Sequence, residues 1–446
     1  MNVGFATVDA TPPVGTYLGG YARWGASDGV RDRLEASAIA FANPAGEGAI
    51  VLLLDLVFIH HEVTATVRAR LAERTGVPAE HILVNCSHSH ATPYGAPGDR
   101  GAAHHRMFTP TLVERCVEAG IAAWNSRAPA ELAVREGCSD LGVNRRLSRP
   151  DGTADFGWNE TGSNERCVHV LTVDRGGRRL FTLAAYPCHP IVFSPANRKV
   201  SADWVGAFRR TLAAQTGAPA VFMQGGCADV NPRHEWSDHD SEACEHLGAR
   251  FAADVLRTLD EAAPASLGDG PIRGATRAVP LDLTPEIVDG RPLPYWRGVV
   301  RDKPLPKLLA DALRWRCFPW TTRVARGDDG TWRIPLDVHA LRVGDLAIAA
   351  QGSEAFHQTG ASVRRRSPFP HTIFAGYAND MIGYVPPPAE IPRRGYEVDT
   401  VPYLYALPGR FAPTAEPAAV EATVALLEAL RNDDDEVVRT PRSAEA

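Results

Sequence analysis

The chain has 446 residues, of which 44% are hydrophobic and 22% are charged, and its formal net charge at pH 7 is −6. This composition is typical of a globular protein with a large core, so it excludes a chain that is disordered throughout. The negative balance provides no basic field for nucleic acid or for an anionic membrane, and neither is expected as a partner.

The N-terminal residues, MNVGFATVDATPP, contain neither the basic segment nor the apolar core of a secretory signal. We therefore expect a cytoplasmic protein whose eight cysteines, which form no C-x-x-C motif, are reduced. The most apolar run, residues 49–59, is too short to span a bilayer and contains Asp55. It predicts a buried strand, and no integral membrane segment is expected.

Two kinds of segment alternate along the chain. Short apolar segments that run into polar loops are typical of strands, and they lie at residues 82–86, 181–186, 220–223, 346–350 and 372–375. Helical periodicity predicts helices at 62–73, 203–215 and 241–259, and Thr109-Pro110 predicts the N-cap and first residue of a helix that reaches about Trp124. This order indicates the α/β class, with strands flanked by helices and the active site at the C-terminal ends of the strands. We find no internal repeat.

Two regions depart from this alternation. Residues 275–340 are rich in proline, tryptophan and arginine, which suggests an insertion or a lid. Residues 432–446 are polar and charged, which predicts a disordered tail. Because polar loops are spread along the rest of the chain, we expect one catalytic domain over residues 1–431.

Three strand ends carry residues that bind metals. His88-Ser89-His90 follows the strand at 82–86, and on an extended segment both rings would point the same way. Taken alone, the motif fits a metal site or a pair of hydrogen-bonded loop histidines equally well. His189 and Glu354 follow two other strands, and each alone is more often a loop histidine or a surface glutamate. Together, two histidines and one glutamate would form an open catalytic zinc site.

These segments, with others in the same order, resemble the catalytic N-terminal domain of the neutral/alkaline non-lysosomal ceramidase family, which are zinc amidases. The matching segments extend along almost the whole chain, at residues 9–13 (DATPP), 19–22 (GGYA), 88–90 (HSH), 144–145 (NR), 188–190 (CHP), 201–203 (SAD), 226–232 (GCADVNP), 352–354 (GSE) and 376–379 (GYAN). The resemblance implies one Zn²⁺ per chain, held by His88, His189, Glu354 and Tyr384. The spacing does not predict Tyr384 as a ligand, and the alternative interpretation is an aromatic side chain of the core.

The resemblance also implies roles for three residues around a scissile carbonyl. His90 would move a proton from water towards the leaving amine, or would only orient another residue. Arg145 and Tyr396 would donate hydrogen bonds to the oxyanion or orient the substrate, and the other reading of Arg145 is a structural salt bridge. A carboxylate on the substrate could pair with Arg145, Arg393 and Arg394.

One substitution separates this chain from the family pattern. Asn231 stands where ceramidases have a serine, and asparagine can orient a substrate but supplies neither a nucleophile nor a proton shuttle. Because the sequence ends shortly after the catalytic part, we also expect no counterpart of the C-terminal β-sandwich of secreted ceramidases. We therefore expect a zinc-dependent hydrolase that cleaves an amide smaller or more soluble than ceramide. The alternatives are a zinc esterase, lactonase or phosphoesterase, or a binding protein without activity.

Two further features carry less weight. The segment 234–240 (HEWSDHD) resembles a metal-binding loop, but a solvated acidic loop is the commoner reading. Cys227 lies in a glycine-rich loop and could be a thiol nucleophile, although a buried cysteine usually only packs. The sequence makes no prediction about oligomeric state.

Overall fold

The computed structural model describes residues 1–21, 23, 25–96, 103–234, 241–285, 287–288, 291–292, 323–405 and 407–439. The long helices are His61–Thr75 (α1), Ala103–Asn125 (α2), Asp203–Thr216 (α3), Ser241–Glu261 (α4), His357–Arg366 and Ala415–Arg439. Shorter turns of helix lie at Ala79–His81, Pro388–Glu390, Tyr396–Thr400 and Val401–Leu404. Together with the strands they form a mixed α/β fold.

The strands are β1 Asn2–Asp9, β2 Gly29–Val30, β3 Glu35–Ala42, β4 Gly48–Leu54, β5 Ile82–Cys86, β6 Ala128–Pro129, β7 Glu131–Cys138, β8 Gly142–Ser148, β9 Ala154–Asn159, β10 Cys167–Arg175, β11 Arg178–Tyr186, β12 Lys199–Val200, β13 Ala220–Gln224, β14 Val230–Pro232, β15 Ala265–Leu267, β16 Ile272–Pro285, β17 Ile287–Val288, β18 Arg291–Pro292, β19 Ala325–Arg326, β20 Trp332–Val343, β21 Leu346–Gln351, β22 Glu354–Ala355, β23 His371–Ala375, β24 Tyr384–Val385 and β25 Gly409–Phe411. The predicted strands and the helices at 62–73, 203–215 and 241–259 are confirmed.

One topology occurs three times. The strand orders of the three large sheets are β5-β4-β3-β1-β6, β13-β11-β10-β7-β15 and β23-β21-β20-β16-β25. In each sheet an antiparallel hairpin is followed by a helix and then by a strand parallel to the second hairpin strand. We call these the first, second and third units. The expectation of no repeat was therefore wrong at the level of topology, because the same order of elements recurs without recognisable sequence repetition.

The three sheets share a core. Alternate residues of β3 point to opposite faces, so Ile39 and Phe41 enter this core while Ala38 and Ala40 face the helices. Leu183 of the second unit and Ile348 of the third unit lie in the same cluster as Ile39. The small alanines let the helices approach the sheet closely, and burial on both faces explains why these strands are almost uninterruptedly apolar.

Hydrogen bonds join the carboxyl ends of the three units. Asn85, on β5, donates through Nδ2 to the carbonyl of Gln224 at the end of β13 and to the carbonyl of Gly376 just after β23, over 3.2 and 2.7 Å. The backbone N–H of Gln224 donates back to Asn85 Oδ1 over 2.9 Å. The loops that follow these strands therefore converge on one region, as the α/β prediction requires.

Two predicted boundaries differ from the structure. Helix α2 begins at Ala103, so Pro110 lies inside it, and the hydroxyl of Thr109 donates to the carbonyl of Ala96 over 2.5 Å. The Thr109-Pro110 start was therefore wrong. The last helix runs to Arg439, past the expected start of the tail at residue 432, because no glycine or proline interrupts the chain between Pro417 and Pro441.

The other predicted regions lie partly outside the described residues. The flanks of segment 275–340 form the paired strands β16 and β20, while residues 293–322 are outside the described part. A lid or insertion role for this segment therefore stays a prediction. Of the loop 234–240, only His234 is described. In the part of the chain that the structure describes, no helix has both the length and the apolar character to cross a membrane.

Candidate metal centre

His88 lies two residues beyond the end of β5 and has a left-handed backbone, with φ of 65°. Its backbone N–H donates to the carbonyl of Leu56 over 2.9 Å, and its Nδ1 lies 2.7 Å from the carbonyl of Val57. The expectation of an extended H-x-H segment was thus wrong. The rings nevertheless converge, since Nε2 of His90 lies 3.2 Å from Nε2 of His88. The backbone bonds assign the proton to Nδ1 and leave the His88 Nε2 lone pair for a ligand.

His189 repeats this arrangement in the second unit. It follows β11, is fully buried, and its Nδ1 lies 3.0 Å from the carbonyl of Val230. Burial and the nearby Arg145 guanidinium lower the pKa of His189 to about 4. The imidazole is therefore neutral at physiological pH, which is the form that binds metals. Arg145 Nη1 lies 3.4 Å from Nε2 of His189, at the long end of hydrogen-bond distance.

Glu354 brings the third unit to the same place. Its Oε2 lies 3.3 Å from Nε2 of His88 and 3.8 Å from Nε2 of His189. Among the described residues this oxygen has no hydrogen-bond partner, although the side chain is only 3% exposed. Oε1 accepts a hydrogen bond from the hydroxyl of Tyr405 over 2.6 Å. Burial alone would raise the pKa of the Glu354 carboxyl, but the neighbouring His88 and His189 side chains lower it below its ordinary value.

Tyr384 is the fourth expected ligand, and the structure places it beside the other three. β24 pairs with β22 so that Tyr384 lies directly across from Glu354. The phenolic oxygen of Tyr384 accepts a hydrogen bond from Nη2 of Arg145 over 2.9 Å. The four side chains come from segments that are far apart in sequence, and each of the three units contributes at least one of them.

This donor set fits a zinc ion. Zinc takes imidazole nitrogen and carboxylate oxygen, and its protein ligands are held in orientation by hydrogen bonds to their second polar atom. His88, His189 and Glu354 each have such a bond, to Val57, Val230 and Tyr405 respectively. A buried carboxylate oxygen without a partner costs free energy that a bound cation would offset.

Arg145, on β8, is held by protein groups. Its Nε donates to Glu397 over 2.9 Å and its Nη1 to Oδ1 of Asn231 over 3.3 Å, in addition to the bond with Tyr384. Arg393 pairs with Glu390 and Arg394 with Asp399. The three arginines that could receive a substrate carboxylate already contact carboxylates of the protein, so that hypothesis is not supported.

An open pocket of about 470 Å³, including the space that is open to solvent, lies against His88, Glu354 and Tyr384. Its wall includes His90, Tyr396, Tyr405, Phe58 and Tyr94. Tyr396 lies 6.2 Å from Tyr384, measured between ring centroids. The Gly19-Gly20 motif also acts here, because Gly20 has φ of 78° and a Cβ on it would lie 2.2 Å from the His90 ring. Sequence reasoning missed Tyr405, for which no spacing signal exists.

Two other groups of metal-ligating side chains occur among the described residues. His60, His61 and Glu62 lie at the start of α1, where Nδ1 of His60 accepts the Glu62 N–H over 3.3 Å as a helix cap. Glu136, Cys167 and His169 lie on β7 and β10. There, Arg364 donates to Nε2 of His169 over 2.8 Å.

Cys227 does not have the environment of a nucleophile. It is fully buried, and burial raises the pKa of its thiol well above the ordinary value. Its Sγ lies 3.1 Å from the hydroxyl of Tyr377. Reactive cysteines have lowered pKa values and some exposure. The structure therefore favours the interpretation of Cys227 as a packed core residue.

Comparisons with known proteins bear on the family and the fold. The family model for the neutral/alkaline non-lysosomal ceramidase N-terminal domain matches residues 1–257. The neutral ceramidase of Pseudomonas aeruginosa has a similar fold, with 20% identity and a TM-score of 0.73 over 100% of this chain and 76% of that chain. The same values hold for a structure of a ceramidase complexed with C2. No curated protein matches this sequence significantly.

Proposed function

Because the chain belongs to the neutral/alkaline non-lysosomal ceramidase family, whose activity is hydrolysis of amide bonds, we propose that it is a zinc-dependent amidohydrolase with one zinc per chain. The ligands are His88, His189, Glu354 and Tyr384. The observation that carries the proposal is the buried Oε2 of Glu354, which has no hydrogen-bond partner among the described residues and lies within 4 Å of two imidazole Nε2 atoms.

Bound zinc supplies Lewis acidity, which lowers the pKa of water and polarises a carbonyl. His90 is the proton carrier, because its Nε2 lies beside the ligands and its side chain lines the cavity. It takes a proton from the attacking water and passes it to the leaving nitrogen. Tyr396, on the cavity wall, donates a hydrogen bond to the carbonyl oxygen as negative charge develops there.

Arg145 acts through another residue in this proposal. Its hydrogen bonds go to Glu397, Asn231 and Tyr384, and its Nη1 also lies 3.4 Å from His189. We infer that it holds the tyrosine oxygen in place rather than reaching the substrate. Arg146 strengthens this support, since it also pairs with Glu397 and donates to Glu390 over 2.6 Å. The salt bridge between Arg145 and Glu397 thus also fixes the guanidinium that positions Tyr384.

The substrate is an amide that is smaller or more soluble than ceramide. Asn231 occupies the position of the family serine and accepts a hydrogen bond from Arg145, so it supports the site without taking part in proton transfer. The cavity wall is largely aromatic, which suits an amide with an apolar group beside the scissile bond.

The test begins with metal analysis of purified protein freed of loosely bound ions, followed by a screen of matched amides, esters and phosphoesters. We expect about one zinc per chain and turnover of an amide that a chelator stops and zinc restores. Absence of bound metal after zinc is supplied would sink the proposal. Faster turnover of esters or phosphoesters than of every amide would replace it with one of the alternative hydrolases.

Asn231→Ser tests the substrate assignment. If the asparagine is what separates this chain from ceramide hydrolysis, the variant gains ceramide turnover. If the variant stays inactive on ceramide and retains the soluble amide activity, the distinction lies in the cavity instead.

A further inference from the structure

Two cysteines flank the segment between β7 and β10, which carries Arg145. β7 ends at Cys138 and β10 begins at Cys167, and these strands are adjacent and antiparallel. In their register Cys138 and Cys167 are direct partners. The intervening residues 139–166 leave the sheet, form the β8–β9 hairpin and return.

The hydrogen-bond pattern shows how close the two residues lie. The N–H of Ser139 donates to the carbonyl of Arg166 over 2.9 Å, so the bond joins the residues that flank the cysteine pair. Cys138 and Cys167 therefore form a non-hydrogen-bonded pair, in which the Cα atoms are about 4.5 Å apart and the side chains are on the same face. A disulfide spans Cα separations of about 4.4–6.8 Å, so the backbone already permits the bond.

Solvent exposure also distinguishes this pair from the other described cysteines. Of the seven cysteines in the described part of the chain, five are buried, whereas Cys138 is exposed and Cys167 is partly exposed. Both are free thiols. Cys167 lines a second cavity, of about 320 Å³, together with His169 and Arg364. A disulfide reagent can therefore reach the Cys138 sulfur from solvent, and Cys167 lies directly across from it on the neighbouring strand.

We propose that Cys138 and Cys167 are a reversible redox modification site, which a small disulfide of the glutathione type converts into a cross-strand disulfide. The Cys138 thiolate attacks one sulfur of the reagent, forms a mixed disulfide and releases one thiol. The Cys167 thiolate then attacks the Cys138 sulfur, the Cys138–Cys167 bond forms, and the second thiol leaves. Two protons leave the cysteines, and the reagent is reduced by two electrons to two thiols.

The order of attack follows from burial. Burial raises the pKa of Cys167 to about 11, whereas Cys138 is exposed. Cys138 is therefore the first nucleophile, and Cys167 resolves the mixed disulfide. The second step is expected to become faster as the pH rises.

The bond would close residues 139–166 into a covalent loop. That loop carries Arg145 and also Ser163, whose hydroxyl lies 3.1 Å from Nε2 of His357. A disulfide constrains such a loop mainly in the unfolded chain, so oxidation should raise the Tm by about 2–4 °C for a protein of this size.

The experiment uses the full-length protein and oxidised glutathione. After oxidation, free thiols are blocked, the protein is digested without reduction, and the peptides are identified by mass spectrometry. We expect one linked pair that contains Cys138 and Cys167, which dithiothreitol reverses. Cys138→Ser and Cys167→Ser should both lack the linked pair and the rise in Tm.

Recovery of the two cysteines as separate alkylated peptides, or as separate glutathione adducts, would overturn the proposal. Cys138→Ser is an exposed, nearly isosteric change, so the reduced variant should keep the Tm of the reduced parent. Neither readout involves metal or turnover. The outcome is therefore independent of the proposed hydrolase activity.

Discussion

The candidate metal centre and the Glu136–Cys167–His169 group offer a direct comparison, since each brings the ligating atoms of at least three side chains together. At the metal centre Glu354 is 3% exposed and its Oε2 lacks a hydrogen-bond partner among the described residues. In the other group Glu136 is 54% exposed, so water solvates its carboxylate. Nε2 of His169 accepts a hydrogen bond from Arg364, and Arg364 also pairs with Glu165.

Proximity of ligand atoms alone therefore does not define a metal site. A buried carboxylate oxygen without a partner is costly, and a cation relieves that cost. A solvated carboxylate gains much less from a metal. So does an imidazole in a short bond to a guanidinium, such as His169 at 2.8 Å from Arg364, whereas His189 lies 3.4 Å from Arg145. We therefore expect zinc at the first group and none at the second.

The largest expected effect is loss of the metal. His88→Ala or Glu354→Ala should weaken zinc binding by more than 100-fold, because even the loss of an outer partner of a ligand costs about 10–100-fold. Zinc per chain after dialysis should fall from about one to near zero while circular dichroism stays unchanged. The matched control is His169→Ala, which should retain full zinc. Loss of zinc in the control, or retention in either ligand variant, would break the comparison.

The next effect separates metal binding from proton transfer. His90→Ala should retain one zinc and lose about 10²–10⁴-fold in kcat, since general acid–base catalysis contributes that range. Zinc content and steady-state kinetics on the same preparation measure both quantities. Unchanged turnover would remove His90 from the mechanism, and loss of zinc would make it a ligand.

Tyr405→Phe tests whether the bond to Glu354 supports the metal. The variant removes only the hydroxyl that donates to Oε1, so zinc affinity should fall about 10–100-fold in competition with a chelator. Tyr94→Phe removes a hydroxyl from the same cavity wall and is the matched control. If Tyr405 only satisfies the metal-free carboxylate, the variant will lower the Tm of the metal-free protein and leave zinc affinity unchanged.

The smallest effect concerns His357, whose Nδ1 lies 2.6 Å from Oδ2 of Asp229. Burial alone would lower the pKa of His357, but the Asp229 carboxylate raises it above 6.5. The folded protein therefore binds this proton more tightly than the unfolded chain. The resulting stabilisation is complete below about pH 6.5 and is lost as the pH rises through the folded pKa.

His357→Gln should thus lower the free energy of unfolding by about 1–3 kcal/mol at low pH and by less at high pH. Denaturant titrations at about pH 6 and about pH 9 measure the difference. The exposed His246, on α4, provides the control, and His246→Gln should change little at either pH. A cost for His357→Gln that grows with pH would contradict the sign of the shift.

Much of the metal centre followed from local sequence. Apolar segments that end in His88, His189 and Glu354 predicted strands with polar residues at their carboxyl ends, and this placement is confirmed. Such signals are visible because side-chain alternation and strand ends depend on neighbours in the chain. Tyr384 and Tyr396 came only from the family resemblance, since nothing in their spacing indicates a site.

The other contacts of the candidate metal centre depend on tertiary structure. Tyr405 meets Glu354 across 51 positions of the chain, and Arg145 meets Glu397 across 252. The left-handed turn at His88 depends on backbone bonds to the segment after β4, and the recurrence of one topology in three units has no recognisable sequence repeat. Local sequence indicated which residues could serve as ligands. Packing of the three units brought these side chains together and left the buried Oε2 of Glu354 without a hydrogen-bond partner among the described residues, because that depends on groups from distant parts of the chain.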